Sequence, residues 1–238
     1  MPRWTVERPD RSRMDMVAES AEAVVAVSET GPGAMVPATV LTSPRWLAER
    51  IADMGISWGT GDSRVSGTLW WCMAASSLID PIVTAYATRR RAPSPELDHL
   101  LCEIRPDGGV ERVLPLPGDV PQDPAEVGRA LRKSLARIIP AVAEVSGASV
   151  ASLWAVVADA IGNRALDAGD AEAGSRLAGE VAGRLPVPRF TDVGGRTFVR
   201  RISCCLVFEA PGCQMCTSCP KRPPAQRHAM LTELAARG

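Results

Sequence analysis

The chain has 238 residues, 46% of them hydrophobic and 23% charged. That is ordinary globular composition, long enough to bury a core without covalent staples. Its 27 basic and 27 acidic residues cancel, so no overall field draws it to nucleic acid or to an anionic membrane. No apolar run reaches the roughly 18 residues of a transmembrane helix, and the N-terminus MPRWTVERPDRSRMDMV lacks the apolar stretch of a secretory signal. Together these features predict a cytoplasmic protein, in a compartment where thiols stay reduced.

In chain order, Met14, Val17, Ala21, Val24 and Val25 recur at helical spacing, which predicts an amphipathic helix over 13–29, ended by Gly31–Pro32–Gly33. Ser43–Pro44 supplies an N-cap and a first-turn proline for a helix over Arg45–Met54, with Gly55 as its stop. Residues 63–91 read as a long apolar helix that Asp80–Pro81 should break or kink. A hairpin follows, LLCEIRP and VERVLPL around Asp107–Gly108–Gly109. Prolines 115, 117, 121 and 124 mark a connector. Helices are expected over 125–145, 149–168 and 170–184, and a final one over 220–236. The fold class is mainly α with small β-hairpins (α+β): a helical body over 1–189 and a compact C-terminal segment over 190–238.

Five of the seven cysteines fall between positions 204 and 219, in RRISCCLVFEAPGCQMCTSCPKR. In a reducing compartment such clustering points to metal ligands before disulfides. The CxxC pair Cys216 and Cys219 can place both sulfurs on one metal. The adjacent Cys204 and Cys205 would face opposite ways in a strand, so they need a non-strand backbone or a binuclear site. A [2Fe–2S] cluster offers two irons with two thiolates each, so Cys204, Cys205, Cys216 and Cys219 suffice as cofactor and metal ligands. A turn at Pro211–Gly212 and the small Thr217 and Ser218 leave room for backbone N–H groups near the sulfurs. Across 196–238 seven basic residues face two acidic ones, which suits an anionic cluster. Structural zinc on four cysteines is the competing reading, although zinc ribbons usually supply two CxxC hairpins. Cys213 leaves five thiols for four ligand places.

Other candidates weigh less. Cys72 and Cys102 read as buried packing residues. His99 and His228 are isolated, and no P-loop or GxGxxG fingerprint is present. Arg89–Arg90–Arg91 reads as a solvated helix end, with docking of an acidic protein as the alternative. Most of the six tryptophans should be core.

The spacing C-C-x10-C-x2-C behind a basic pair resembles the C-terminal motif of the FhuF-like ferric-siderophore reductases. The matching residues are Arg200, Arg201, Cys204, Cys205, Pro211, Gly212, Cys216 and Cys219; Cys213 departs from the pattern. The resemblance covers about 25 residues. It implies an enzyme that uses a [2Fe–2S] cluster for one-electron reduction of Fe(III) in a siderophore, often of hydroxamate type, releasing Fe(II) in the cytoplasm. Its electrons would come from a partner such as a ferredoxin or a flavoprotein reductase. Arg200, Arg201, Lys221 and Arg222 are the possible contacts to chelate or donor. The alternatives are an iron-chelate binding or iron-sensing protein without turnover, and a zinc-stabilised interaction protein.

Overall fold

The computed structural model describes residues 33–118, 121 and 123–237; the helix expected over 13–29 and Trp4 lie outside them. Among the described residues there are six α-helices, a three-stranded antiparallel sheet and a separate two-stranded one. The chain opens with strand β1 (Ala34–Pro37), which the sequence patterning did not single out, and continues into helix α1 (Pro44–Ser57). Ser43 caps α1 by accepting the Trp46 N–H. The helix does not stop at Gly55. It runs on to Ser57, with Trp58 as its C-cap and Gly59, at a positive φ of 64°, as the left-handed stop. Gly55 is glycine for another reason: a Cβ there would sit 2.9 Å from the Thr60 carbonyl oxygen.

Helix α2 (Ser63–Ala87) is the central post, capped by Asp62, which accepts from the Arg64 and Val65 N–H groups. It is buried almost all round and passes through Pro81 without ending. An interior proline costs about 3 kcal/mol, but Leu78, Ile79, Ile82 and Val83 are all buried around it. Each fully buried aliphatic side chain contributes about 1.5–3 kcal/mol, which outweighs the break. Trp70 and Trp71 are fully buried on this helix. Their indole N–H groups donate to the Gly108 and Leu153 carbonyls, both at 2.9 Å, as buried tryptophans require.

The expected hairpin is β2 (Leu100–Ile104) and β3 (Val110–Pro115), with β1 added to the free edge of β2. Helices α3 (Pro124–Ser146), α4 (Val150–Asp167) and α5 (Ala171–Val181) follow, each with a side-chain N-cap from Asp123, Ser149 or Asp170. They enclose α2 with α1, and the sheet packs on α2 through β3. A second hairpin, β4 (Phe190–Val193) and β5 (Arg196–Val199), lies against α4. Gly162 makes this approach possible: a Cβ there would meet Val199 and Pro188 side chains at 3.1 and 3.2 Å.

The C-terminal stretch divides between two cores. Leu206 belongs to the main core, with Ile202, Cys204, Cys205 and Val207 packed against it. Val193, Phe198 and Leu231 form a small cluster of their own, closed by Ala235. The last helix, α6 (Pro224–Ala235), starts later than position 220. Pro223 and Pro224 each disfavour helical backbone at the residue before them. No helix among the described residues is long and apolar enough to cross a membrane.

Candidate metal centre

β5 delivers the chain onto α4 one turn from Gly162, and the segment 200–206 then runs as neither helix nor strand. This irregular backbone is what adjacent cysteines need. Leu206 has φ of 60°, a left-handed conformation unusual for a branched residue. The bend turns the Leu206 N–H toward Cys204 and the Val207 N–H toward Cys205. Gly212, at φ 73°, makes the next turn. Cys216 to Cys219 closes a third, with the Cys219 N–H on the Cys216 carbonyl at 3.1 Å.

These turns fold 216–219 back over 204–205, so the thiols meet in nested pairs. The Sγ atoms of Cys204 and Cys219 are 3.8 Å apart, and Cys205 and Cys216 lie near enough to shift each other's titration. The CxxC spacing can place Cys216 and Cys219 on one metal, and that stays open. The fold brings the outer residue of one pair to the outer of the other, and the inner Cys205 and Cys216 are neighbours in the same antiparallel approach. Cys219 is buried; Cys204, Cys205, Cys213 and Cys216 are half-buried. Among the described residues no three His, Cys, Asp or Glu side chains converge as on a single metal ion; the thiols come in twos. Two pairs of sulfurs with backbone N–H groups beside them match the donor set of a binuclear iron–sulfur cluster.

Electrostatics separates the members of a pair. The neighbouring Cys216 thiol pulls Cys205 below the ordinary thiol range, against its burial and with help from the Val207 N–H and Arg201. The neighbouring Cys205, and burial, push Cys216 well above the ordinary thiol range. Burial raises Cys204 to about 11, partly offset by the Leu206 N–H. One thiolate is thus already favoured, and thiolates are the species that bind metal.

The basic residues of the segment take distinct places. Arg201 is mostly buried and reaches Cys216 Sγ with Nη1 at 3.6 Å. Burial disfavours its charge, but Cys72, Cys205, Cys216 and Asp159 more than compensate and hold it protonated. Arg222 is half-buried and braces the CxxC turn, donating to the carbonyls of Met215 at 2.6 Å and Cys216 at 3.4 Å. Arg227, not singled out from sequence, does the same for the Cys219 carbonyl at 3.3 Å. Lys221 is exposed, pairs with Glu209 at 3.5 Å and lies over the Phe208 ring. Glu209 also binds Arg64 of α2, which ties the cysteine loop to the helical body. Arg200 is exposed.

Two further residues enter. Cys72 packs against the main core, as expected, and with Cys205, Arg201, Asp159, Asn163 and Arg164 it also lines a cavity of about 300 Å³ beside the thiols. Burial pushes its thiol up to about 12, although Arg201 opposes the shift. Asp159 was missed altogether. Its signal was a lone acid in the apolar run Leu153–Ile161, since a buried carboxylate requires a partner. Cys102 is fully buried in β2, as expected. Arg89, Arg90 and Arg91 are exposed just past the far end of α2, beyond about 22 Å of helix from Cys72. His99 pairs with Ser94, and His228 is exposed on α6.

Residues 201–221 match the family model described as the FhuF 2Fe-2S C-terminal domain. The match spans Arg201, all five clustered cysteines and Lys221. No curated protein matches the chain. The cofactor of this domain is a [2Fe–2S] cluster, and the paired thiols fit it.

Proposed function

We propose that this chain, whose C-terminal segment is a FhuF-type 2Fe-2S domain, is a ferric-siderophore reductase acting in the cytoplasm. The observation that carries the reading is the nested thiol pairing inside the matched segment. Cys204 and Cys219 would hold one iron, and Cys205 and Cys216 the other. When bound, the cluster supplies a one-electron carrier.

The chain's own residues do the rest. Arg201 keeps its charge beside Cys216 and offsets the negative charge that arrives with an electron. Arg222 and Arg227 hold the carbonyls of the CxxC turn, so the sulfurs keep their places. Arg200 and Lys221 present cations at the surface, where an anionic chelate or an acidic donor protein would dock. The balance is simple: one electron leaves a reduced ferredoxin or flavoprotein reductase, and one Fe(III) of the siderophore becomes Fe(II). Hard oxygen ligands such as hydroxamates hold Fe(II) far more weakly, so the iron leaves. No proton donor or acceptor is required of the protein.

The test is Fe(II) release from a ferric hydroxamate, trapped by a ferrous-specific chromophore, with a reduced ferredoxin as donor. The wild-type protein should turn over, and Cys216→Ser should stop turnover while chelate binding persists. Equal Fe(II) release by Cys216→Ser, or chelate binding without Fe(II) release by the wild type, would contradict the proposal; the latter would indicate a carrier or sensor.

A further inference from the structure

Asp159 sits on α4 with 2% of its surface exposed. An ionised carboxylate so placed costs several kcal/mol unless it is fully paired. Both of its oxygens are in use. Oδ1 accepts the Ile202 N–H at 2.8 Å. Oδ2 accepts the Ser203 N–H at 2.9 Å, the Ser203 hydroxyl at 2.6 Å and Arg201 Nε at 3.5 Å. One side chain of the helical body therefore fixes three consecutive residues, and Cys204 and Cys205 come next. The far side of the same guanidinium reaches Cys216 Sγ at 3.6 Å through Nη1, and Nη2 touches Ser203 Oγ at 3.5 Å.

We propose that Asp159 is a positioning residue: it aims Arg201 at Cys216 Sγ, and the N–H delivered there raises the reduction potential of the cluster. The proposal rests on the ligand assignment above. Reduction adds negative charge to the cluster and its thiolates, so a cationic donor held against one sulfur favours the reduced form. A hydrogen bond to a charged group is worth about 1.5 kcal/mol or more, which is about tenfold in the equilibrium and about 59 mV for a one-electron couple. Arginine is needed because its planar fork binds a carboxylate with one edge and a sulfur with another; a lysine ammonium offers no such fork.

The charge of Asp159 by itself acts the other way, since a buried anion disfavours an arriving electron. That opposition gives the test its sign. The midpoint potential of the anaerobically purified full-length protein is titrated by visible absorbance for the wild type, Asp159→Asn, Arg201→Lys and the double variant. Positioning predicts that Asp159→Asn lowers the potential by about tenfold in the equilibrium, although it removes a negative charge. Arg201→Lys, which keeps the charge, lowers it likewise. In the Arg201→Lys background Asp159→Asn then raises it. A rise for Asp159→Asn alone, or an unchanged potential for Arg201→Lys, overturns the proposal. If Asp159→Asn fails to fold, Arg201→Lys decides by itself. A wild-type protein that binds no cluster overturns the functional reading as well, whereas a normal cluster with an unshifted potential overturns only this inference.

Discussion

Cys204 and Cys219 bring their Sγ atoms to 3.8 Å across fifteen residues of chain. The closeness comes from the left-handed turn at Leu206 and the return of the chain through Gly212, and Cys213 is not one of the two thiols it joins. Serine in place of any one of Cys204, Cys205, Cys216 or Cys219 should therefore abolish the visible absorbance and the iron content. Cys213→Ser should keep about two irons and two sulfides per chain. Iron analysis of the five variants checks this, and loss of the cluster in Cys213→Ser would reassign the ligands.

Arg222 holds the carbonyls of Met215 and Cys216 from outside the loop. Without it the CxxC turn loses two charge-assisted contacts. Arg222→Ala should assemble a cluster but surrender its iron to a chelator about tenfold faster, the equivalent of one hydrogen bond of about 1.4 kcal/mol. The rate of bleaching in excess chelator measures it, with Lys221→Ala, which braces no carbonyl of the turn, as the comparison expected to bleach at the wild-type rate.

Much of the helical body was legible in the sequence, because caps and spacing act locally. Ser43, Ser149 and the Asp107–Gly108–Gly109 turn each specify their own neighbourhood. Pro81 does not end α2 because its cost is local while the burial of Leu78, Ile79 and Ile82 that outweighs it is tertiary. Strand β1 was invisible for a similar reason: four residues pair with β2 only once the hairpin exists. The cysteine motif was legible as chemistry. Its nested pairing was not, since spacing cannot show which way the loop returns. Asp159 lies 42 residues before Arg201, and nothing local connects them.

Helices α3 and α5 meet at Gly128, where a Cβ would lie 2.4 Å from the Glu180 carbonyl carbon. Gly128→Ala should destabilise the protein by about 1–3 kcal/mol through overpacking. Gly179, on the exposed side of α5 with no atom within 4 Å of an added Cβ, should respond oppositely. Gly179→Ala gains about 0.5–1 kcal/mol from helix propensity. Urea denaturation of both variants reads the two signs.

Burial lifts the Cys102 thiol from 9.0 to about 12. The unfolded chain then gives up this proton at lower pH than the folded one. Between those values the unfolded state binds fewer protons, so stability falls as pH rises, by up to about 1.4 kcal/mol per pH unit. Below about pH 9 the residue contributes no pH dependence. The urea midpoint should drop from about pH 8 to about pH 10.5, and drop less in Cys102→Ala. Equal slopes for the two proteins would show that the thiol does not titrate this way.

Electron transfer from the cluster to chelated iron is read most directly by a single-turnover electron paramagnetic resonance experiment. The full-length protein is reduced anaerobically with dithionite, freed of excess reductant, and mixed with one equivalent of a ferric hydroxamate. A reductase gives the signal of a reduced [2Fe–2S] cluster before mixing, its loss on mixing, and about one Fe(II) formed per spin lost. A signal that persists beside the ferric chelate, or a reduced protein with no such signal, would contradict the proposed reduction.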